Sequence, residues 1–271
     1  MPVHDVVLVN GASLYYEMHG TGPSVLCIAG TTGDAGHFAP VATLLAHEFT
    51  VVTYDRRGNS RSPGPQGWTR TSVAEQAEDA AALVQALQVA PVAVFATDAG
   101  GRIGLDLMLR FPHLLRGVIL HEPVLPSVLR HAERLTEAVQ AAIFQGIQTK
   151  GLPGGVEAVL RYVAGDAAVV AIPPPTLERM VQNAETVFTV ERSGEFAHWC
   201  PTAEALTAVT VPAVLLLGRE SLEFFREMVN WLAPRLQAPV NTAPGGHAAY
   251  FDHAPELAEV LRLILRRWSA H

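Results

Sequence analysis

Lysine is nearly missing from this 271-residue chain: Lys150 stands alone, and arginine carries almost all of the positive charge. That is a bias of composition rather than a functional signal. No basic run is present and the formal net charge is −7, which argues against nucleic acid or an anionic membrane as partners. Cysteine is scarce as well. Cys27 and Cys200 are the only two, and neither has a C-x-x-C neighbour, which excludes a disulfide scaffold. No apolar run approaches the roughly 18 residues that span a bilayer. The amino terminus lacks a charged leader followed by an apolar core, so a soluble, cytoplasmic protein is expected. Spacings such as H-E-x-x-H are absent, and no metal or other cofactor is expected. There are no internal repeats and no low-complexity tracts. What remains is 49% hydrophobic and 17% charged, a globular chain long enough for one large domain or a domain with an insertion.

Two periodicities alternate along it. Val6–Val9 and Ser13–Glu17 flank Asn10-Gly11, a hairpin signal. Ser24–Ala29 is a continuous apolar run, as expected of a central parallel strand, and Gly30-Thr31-Thr32-Gly33 follows as a loop. A helix is predicted from Phe38 to Glu48, a strand over Thr50–Tyr54, and a long amphipathic helix from Ser72 to Gln88. Strands are predicted at Pro91–Phe95, Leu115–Glu122, Val211–Leu217 and near Val240. Helices are predicted over Glu223–Leu236 and Pro255–Trp268. Between Pro123 and about Thr210 the alternation stops and the pattern is mostly helical, interrupted at Pro153-Gly154-Gly155 and at Pro173-Pro174-Pro175. The expected architecture is α/β: a mainly parallel sheet covered on both faces, built from residues 1–122 and 211–271, with 123–210 inserted as a helical cap.

Phe95-Ala96-Thr97-Asp98-Ala99-Gly100-Gly101 joins one of those strands to a helix that stops before Pro112. Strand, sharp turn, small residues and helix make the shape of a nucleophile elbow, whose usual signature is G-x-S-x-G. Here the apex is Asp98. Ala96 and Gly100 give the room a strained apex needs. The helix N-terminus offers free N–H groups and a partial positive charge, which keep a carboxylate ionised. Taken alone, the turn is equally readable as a helix cap.

The chain order is Asp98, then candidate acids, then His247 in Pro244-Gly245-Gly246-His247. With Ile28-Ala29-Gly30-Thr31-Thr32-Gly33 and the turn Tyr54-Asp55-Arg56-Arg57-Gly58-Asn59-Ser60-Arg61-Ser62, the chain resembles the α/β-hydrolases over nearly its whole length. Asp98 stands where serine is common and Ala29 where histidine is common. Aspartate at the elbow, followed by Ala-Gly-Gly-Arg, resembles the epoxide hydrolases and haloalkane dehalogenases of that superfamily. A carboxylate is a poor acyl-transfer nucleophile, but it can open an activated alkyl carbon to form an ester, which histidine-activated water then hydrolyses.

The resemblance implies an oxyanion hole from the backbone N–H groups of Thr31 and Ala99, with His247 as the base. For the acid that orients His247, Glu220 is preferred because it follows the penultimate strand. Glu122, after the strand that follows the elbow helix, is the alternative. Opening an epoxide also needs a donor for the leaving oxygen, and Trp199, Tyr250 and Tyr162 are the candidates. Ala99, where dehalogenases often place a halide-binding tryptophan, argues against a standard dehalogenase. The absence of paired cap tyrosines argues equally against a standard epoxide hydrolase. Arg102 reads either as a surface ion pair or as a partner for a substrate carboxylate, while Asp55 and Arg57 read as structural. Phe144, Phe188, Phe196 and Trp199 suggest an apolar cap lining. The expected function is epoxide hydrolysis of a bulky apolar or aromatic epoxide. A dehalogenase or esterase on the same scaffold, and a non-catalytic ligand-binding homologue, are the rivals. The expected partner is a small-molecule substrate, and the sequence leaves a homodimer open.

Overall fold

The computed structural model describes residues 2–192 and 194–269. The hairpin forms from β1 (Val3–Val9) and β2 (Ala12–His19). Its Asn10-Gly11 turn has φ of +48° and +74°, the left-handed pair that matches the twist of the flanking strands. β3 (Ser24–Ile28), β4 (Thr50–Tyr54), β5 (Val92–Thr97), β6 (Leu115–His121), β7 (Ala213–Gly218) and β8 (Val240–Ala243) complete one sheet. The order is β1-β2-β4-β3-β5-β6-β7-β8. β2 pairs antiparallel with β1 and β4, and the remaining pairs are parallel.

The central strands read as unbroken apolar runs because both their faces are covered. On β3, Leu26 and Ile28 join one core cluster while Val25 and Cys27 join the other. On β5, Val94 and Ala96 face the first cluster, Ala93 and Phe95 the second. The first cluster includes residues of α2 (Val73–Ala86), α3 (Gly100–Arg110) and α7 (Glu223–Leu236). The second includes residues of α1 (Ala39–Leu45), α8 (Ala249–Asp252) and α9 (Ala254–Ser269). α1 is shorter than its sequence pattern predicts: Phe38 belongs to a tighter 3₁₀ turn, Ala35–Phe38, and the helix gives way to a turn at residues 46–48.

Between β6 and β7 the chain is helical, with α4 (Ala132–Ala171), α5 (Pro174–Gln182) and α6 (Ala203–Thr207), and a wide π turn at Thr186–Glu191. The sequence predicts an interruption at Pro153. The break falls just ahead of it, where Lys150 and Gly151 leave helical φ/ψ. Pro153 then sits near the start of the resumed helix, where its missing N–H has no partner to lose. A second break at Gly165, φ +84°, carries no proline and is not marked by the pattern.

Parallel strands bring their carboxyl ends to one side of the sheet. The loops after β3, β5, β6 and β8 therefore converge there, the usual place for a site in an open α/β sheet.

Candidate active site

The elbow is strained in the way its sequence allows. Asp98 has φ +53°, a left-handed conformation that aspartate tolerates better than most side chains. Its N–H donates to His121 O at 3.2 Å, and its own carbonyl accepts from Gly101 N and Val124 N. Gly100 must be glycine for space: a Cβ there would lie 2.5 Å from Ile28 O and 2.6 Å from Ala29 O. A Cβ on Gly30 would collide with the Asp98 carboxylate, so that glycine keeps open the pocket in which the carboxylate lies.

That pocket is made by backbone N–H groups. Thr31 N donates to Asp98 Oδ2 at 2.7 Å, and the Ala99 N–H also favours the charged carboxylate. The other oxygen, Oδ1, lies 3.6 Å from His247 Nε2. Burial alone would raise the Asp98 pKa, but His247 and the two backbone donors outweigh it and hold the carboxyl well below its usual range.

His247 is buried, and its Nδ1 lies 2.9 Å from Glu122 Oε2. Glu122 is fully buried at the end of β6, with φ +46°. Its Oε1 accepts from Gly218 N at 2.9 Å and from Ser221 Oγ. Burial opposes its charge, yet the contacts from His247, His121 and Ser221 pull its pKa down. Glu220, the acid preferred from sequence, does not reach the histidine. It is exposed, and its backbone N–H donates to Gly245 O at 2.9 Å. Two residues beyond β7 the loop has turned, so Ser221 points inward to Glu122 and the Glu220 side chain points out.

Several side chains at the site were not singled out from sequence. Phe225 stacks on the His247 ring at 4.1 Å and 12°, fixing the plane of the imidazole. His121 lies on the other side, 6.3 Å away, fully buried. Burial pushes its pKa down to about 4 against the opposing pull of Glu122, so it is a neutral ring behind a charged one. Arg56 is fully buried and donates to Gly30 O at 3.0 Å and Gln76 Oε1 at 2.7 Å, and it pairs with Glu191 at 2.8 Å. It thereby ties the Thr31 loop to α2 and to the helical segment. No local pattern distinguishes Arg56 from Arg57, which instead grips Asp79 with two bonds of 2.7 Å. Asp55 accepts from Ala35 N and Arg61 N, in keeping with a structural role for this turn.

Asp98 and His247 face a cavity of about 350 Å³. Its far wall comes from the helical segment, including Val139, Ile143, Leu160, Phe188 and Phe196. Of the three donors predicted from sequence, Tyr250 lines this cavity. Trp199 packs against the core and is not part of the lining, and Tyr162 is exposed on α4. Phe144, expected as lining, is 64% exposed, because its position on the helix faces away from the neighbouring Ile143. Arg102 is not a surface residue, and among the described residues it makes no ion pair. It is buried in the cavity wall, where Nε donates to Val124 O and Nη1 to Phe196 O, both at 2.7 Å.

The alpha/beta hydrolase fold family matches residues 23–160. The uncharacterized hydrolase YraK of Bacillus subtilis is 31% identical over 267 residues, 97% of this chain and 96% of that protein. The chain belongs to the α/β-hydrolase family. A putative carbamate hydrolase, RutD, of Azorhizobium caulinodans is 37% identical over 112 residues, 40% of each chain. A thermophilic esterase from Thermogutta terrifontis superposes with a TM-score of 0.77 at 19% identity, covering 99% of both chains. An enol-lactonase from Burkholderia xenovorans LB400 does so with 0.73 at 20%, covering 97% of this chain and all of that one. At those identities the two structures speak for the fold alone. Among the described residues of this α/β-hydrolase, no helix is long and apolar enough to cross a membrane.

The charge state of His247, set between Asp98 and Glu122, gives a pH dependence. Burial disfavours the His247 cation, but Asp98 and Glu122 together raise its pKa from 6.5 to about 9. A group raised by folding contributes stability that is complete below its unfolded value and is lost as pH climbs through the folded one. The contribution of His247 is therefore present below pH 6.5 and lost as pH rises through about 9. Urea midpoints at pH 7 and at about pH 10 should fall further for the wild type than for His247→Gln. Equal losses would show that His247 is not held charged.

Proposed function

We propose that this hydrolase opens a bulky apolar or aromatic epoxide by attack of Asp98 on carbon, and that His247 then directs water onto the resulting ester. The observation that carries this reading is the division of labour between the Asp98 oxygens: Oδ2 in the hole at 2.7 Å from Thr31 N, Oδ1 on the His247 side. Attack by Oδ1 leaves Oδ2 as the ester carbonyl oxygen, already among the donors that stabilise a tetrahedral oxyanion. An acyl substrate is disfavoured by the same fact, because its own carbonyl oxygen would find the hole filled.

The proton inventory closes. The resting site holds two carboxylates and an imidazolium. Ester formation breaks the C–O bond, leaves the electron pair on oxygen and cancels the charge of Asp98. His247 then keeps Glu122 as its charged partner against burial, so its pKa falls and its proton passes, through water, to the new alkoxide. The neutral ring takes a proton from the hydrolytic water as that water attacks Cγ. Collapse of the intermediate restores the carboxylate and the imidazolium and releases a diol.

The helical segment 123–210, read as a cap, supplies most of the apolar wall, with Phe188 and Phe196 among it. This supports an apolar substrate held away from bulk water. Trapping tests the reading. His247→Gln, exposed to a phenyl-substituted epoxide, should accumulate one covalent adduct per chain on Asp98, detected by intact-protein and peptide mass spectrometry. A variant that binds the epoxide but never becomes alkylated would overturn it.

A further inference from the structure

The leaving oxygen carries developing negative charge into an apolar cavity, where an unsupported alkoxide is costly. Two of the three donors predicted from sequence lie off the cavity, and Tyr250 remains. Beside it on the same wall is His37, whose ring stacks on Tyr250 at 5.7 Å and 30°. Phe251 packs against the same ring at 5.3 Å, tilted by 54°.

The ring is oriented by the backbone. Asp34 N donates to His37 Nδ1 at 3.3 Å, within the turn that Asp34 caps. An imidazole that accepts at Nδ1 carries its hydrogen on Nε2 when neutral. Nε2 has no hydrogen-bond partner among the described residues, nor is it one of the buried nitrogens sealed from the cavity. Burial pushes the pKa of His37 down to about 4; Asp34 and Asp98 pull the other way, and Arg56 and Arg179 reinforce the drop. At neutral pH it is an uncharged N–H donor aimed at the reaction chamber. A neutral imidazole can polarise an oxygen without giving up its proton.

We infer that His37 is a catalytic residue of ring opening, its Nε2–H meeting the leaving oxygen alongside the Tyr250 hydroxyl. The inference rests on the reading of Asp98 as nucleophile. As the bond from Oδ1 to carbon forms, the C–O bond breaks and its electron pair stays on oxygen under the His37 hydrogen bond. The proton that neutralises that oxygen comes from the His247 imidazolium, so His37 leaves the step in the state in which it entered.

Two amides separate donation from architecture. Asn at 37 places an oxygen where Nδ1 was and keeps the Asp34 contact, but offers nothing at Nε2. Gln at 37 places an N–H near Nε2 and gives up the Asp34 contact. Asp98 alkylation is to be timed by mass spectrometry in single turnover with two probes, styrene oxide and (2-bromoethyl)benzene. Bromide needs far less hydrogen-bond support than an alkoxide. His37→Asn should lower the epoxide-to-bromide rate ratio by roughly 10-fold or more, the scale of one transition-state hydrogen bond, and His37→Gln should recover much of it. A ratio unchanged in His37→Asn, or lower in His37→Gln than in His37→Asn, would overturn the role of His37 and leave Asp98 untouched. Wild-type protein alkylated by neither probe would sink the nucleophile reading and this one with it.

Discussion

Asp98→Asn should abolish ester formation and lower turnover by roughly 10⁴ or more, the scale seen when a nucleophile is removed. The amide oxygen can still occupy the hole at Thr31 and Ala99, so the fold should survive. The NH₂ group then faces His247 in place of Oδ1 and has no lone pair with which to attack carbon. The substitution also removes one of the two carboxylates that raise the His247 pKa, which should drop toward its ordinary value in an NMR titration. Loss of turnover together with that drop ties the defect to the site rather than to folding. Single turnover of the wild type in ¹⁸O-water makes the complementary case: water attacks Cγ, so label should enter Asp98 and the first diol should carry almost none. Label in the diol alone would mean that water attacks the epoxide directly and Asp98 is only a base. Asp98→Ser should not restore turnover, because attack by its hydroxyl would form an ether that His247 cannot hydrolyse.

Glu122→Gln should cost roughly 10²–10⁴ in turnover, as expected when the acid that holds a catalytic imidazole is neutralised, whereas Glu220→Gln should stay within about twofold. Glu122 is fully buried and accepts from Gly218 N and Ser221 Oγ on one oxygen while holding His247 on the other. Gln at 122 must put its NH₂ either against His247 Nδ1, which would then have to accept and so show the wrong tautomer to Asp98, or against two donors. Both arrangements misplace a proton at the base. The hydrolytic step should suffer most, so the Asp98 ester should accumulate in Glu122→Gln during steady-state turnover. Equal activity of the two variants, or a larger loss in Glu220→Gln, would remove Glu122 from the triad.

The difference between these acids marks how far the sequence could be read. Both follow a strand, and both are glutamates at the carboxyl edge of a parallel sheet. Local pattern cannot separate them, since the deciding quantity is where each loop turns after its strand ends. Glu122 enters a left-handed conformation directly after β6 and points into the sheet edge. Glu220 comes two residues after β7, past the turn. Tyr162 lies off the cavity for a related reason. Tyr162 sits on a helix whose cavity face is given by Leu160 and Val163, and helix phase in a segment broken at Gly151 and Gly165 is not fixed by its apolar spacing. His37 was passed over because it is one histidine of 11 in a loop with no periodic signal, and its value comes from the Asp34 backbone bond and the stack on Tyr250.

The sequence by itself determined the parallel α/β sheet, the strained turn at Asp98 and the glycine loop before His247. Those features are local: an apolar run, a small residue beside an apex or a glycine at a loop carries its meaning within a few positions, whatever lies across the molecule. Only the tertiary structure decided that Glu122 and not Glu220 holds the histidine, that Arg56 locks the Thr31 loop to the helical segment, and that Arg102 is buried between two carbonyls. It alone decided that His37 and Tyr250 lie side by side on the cavity wall. Each of these depends on groups brought together from distant points of the chain, 125 positions apart for Glu122 and His247. Such meetings are fixed by packing and by the burial of charge, which no single stretch of sequence encodes.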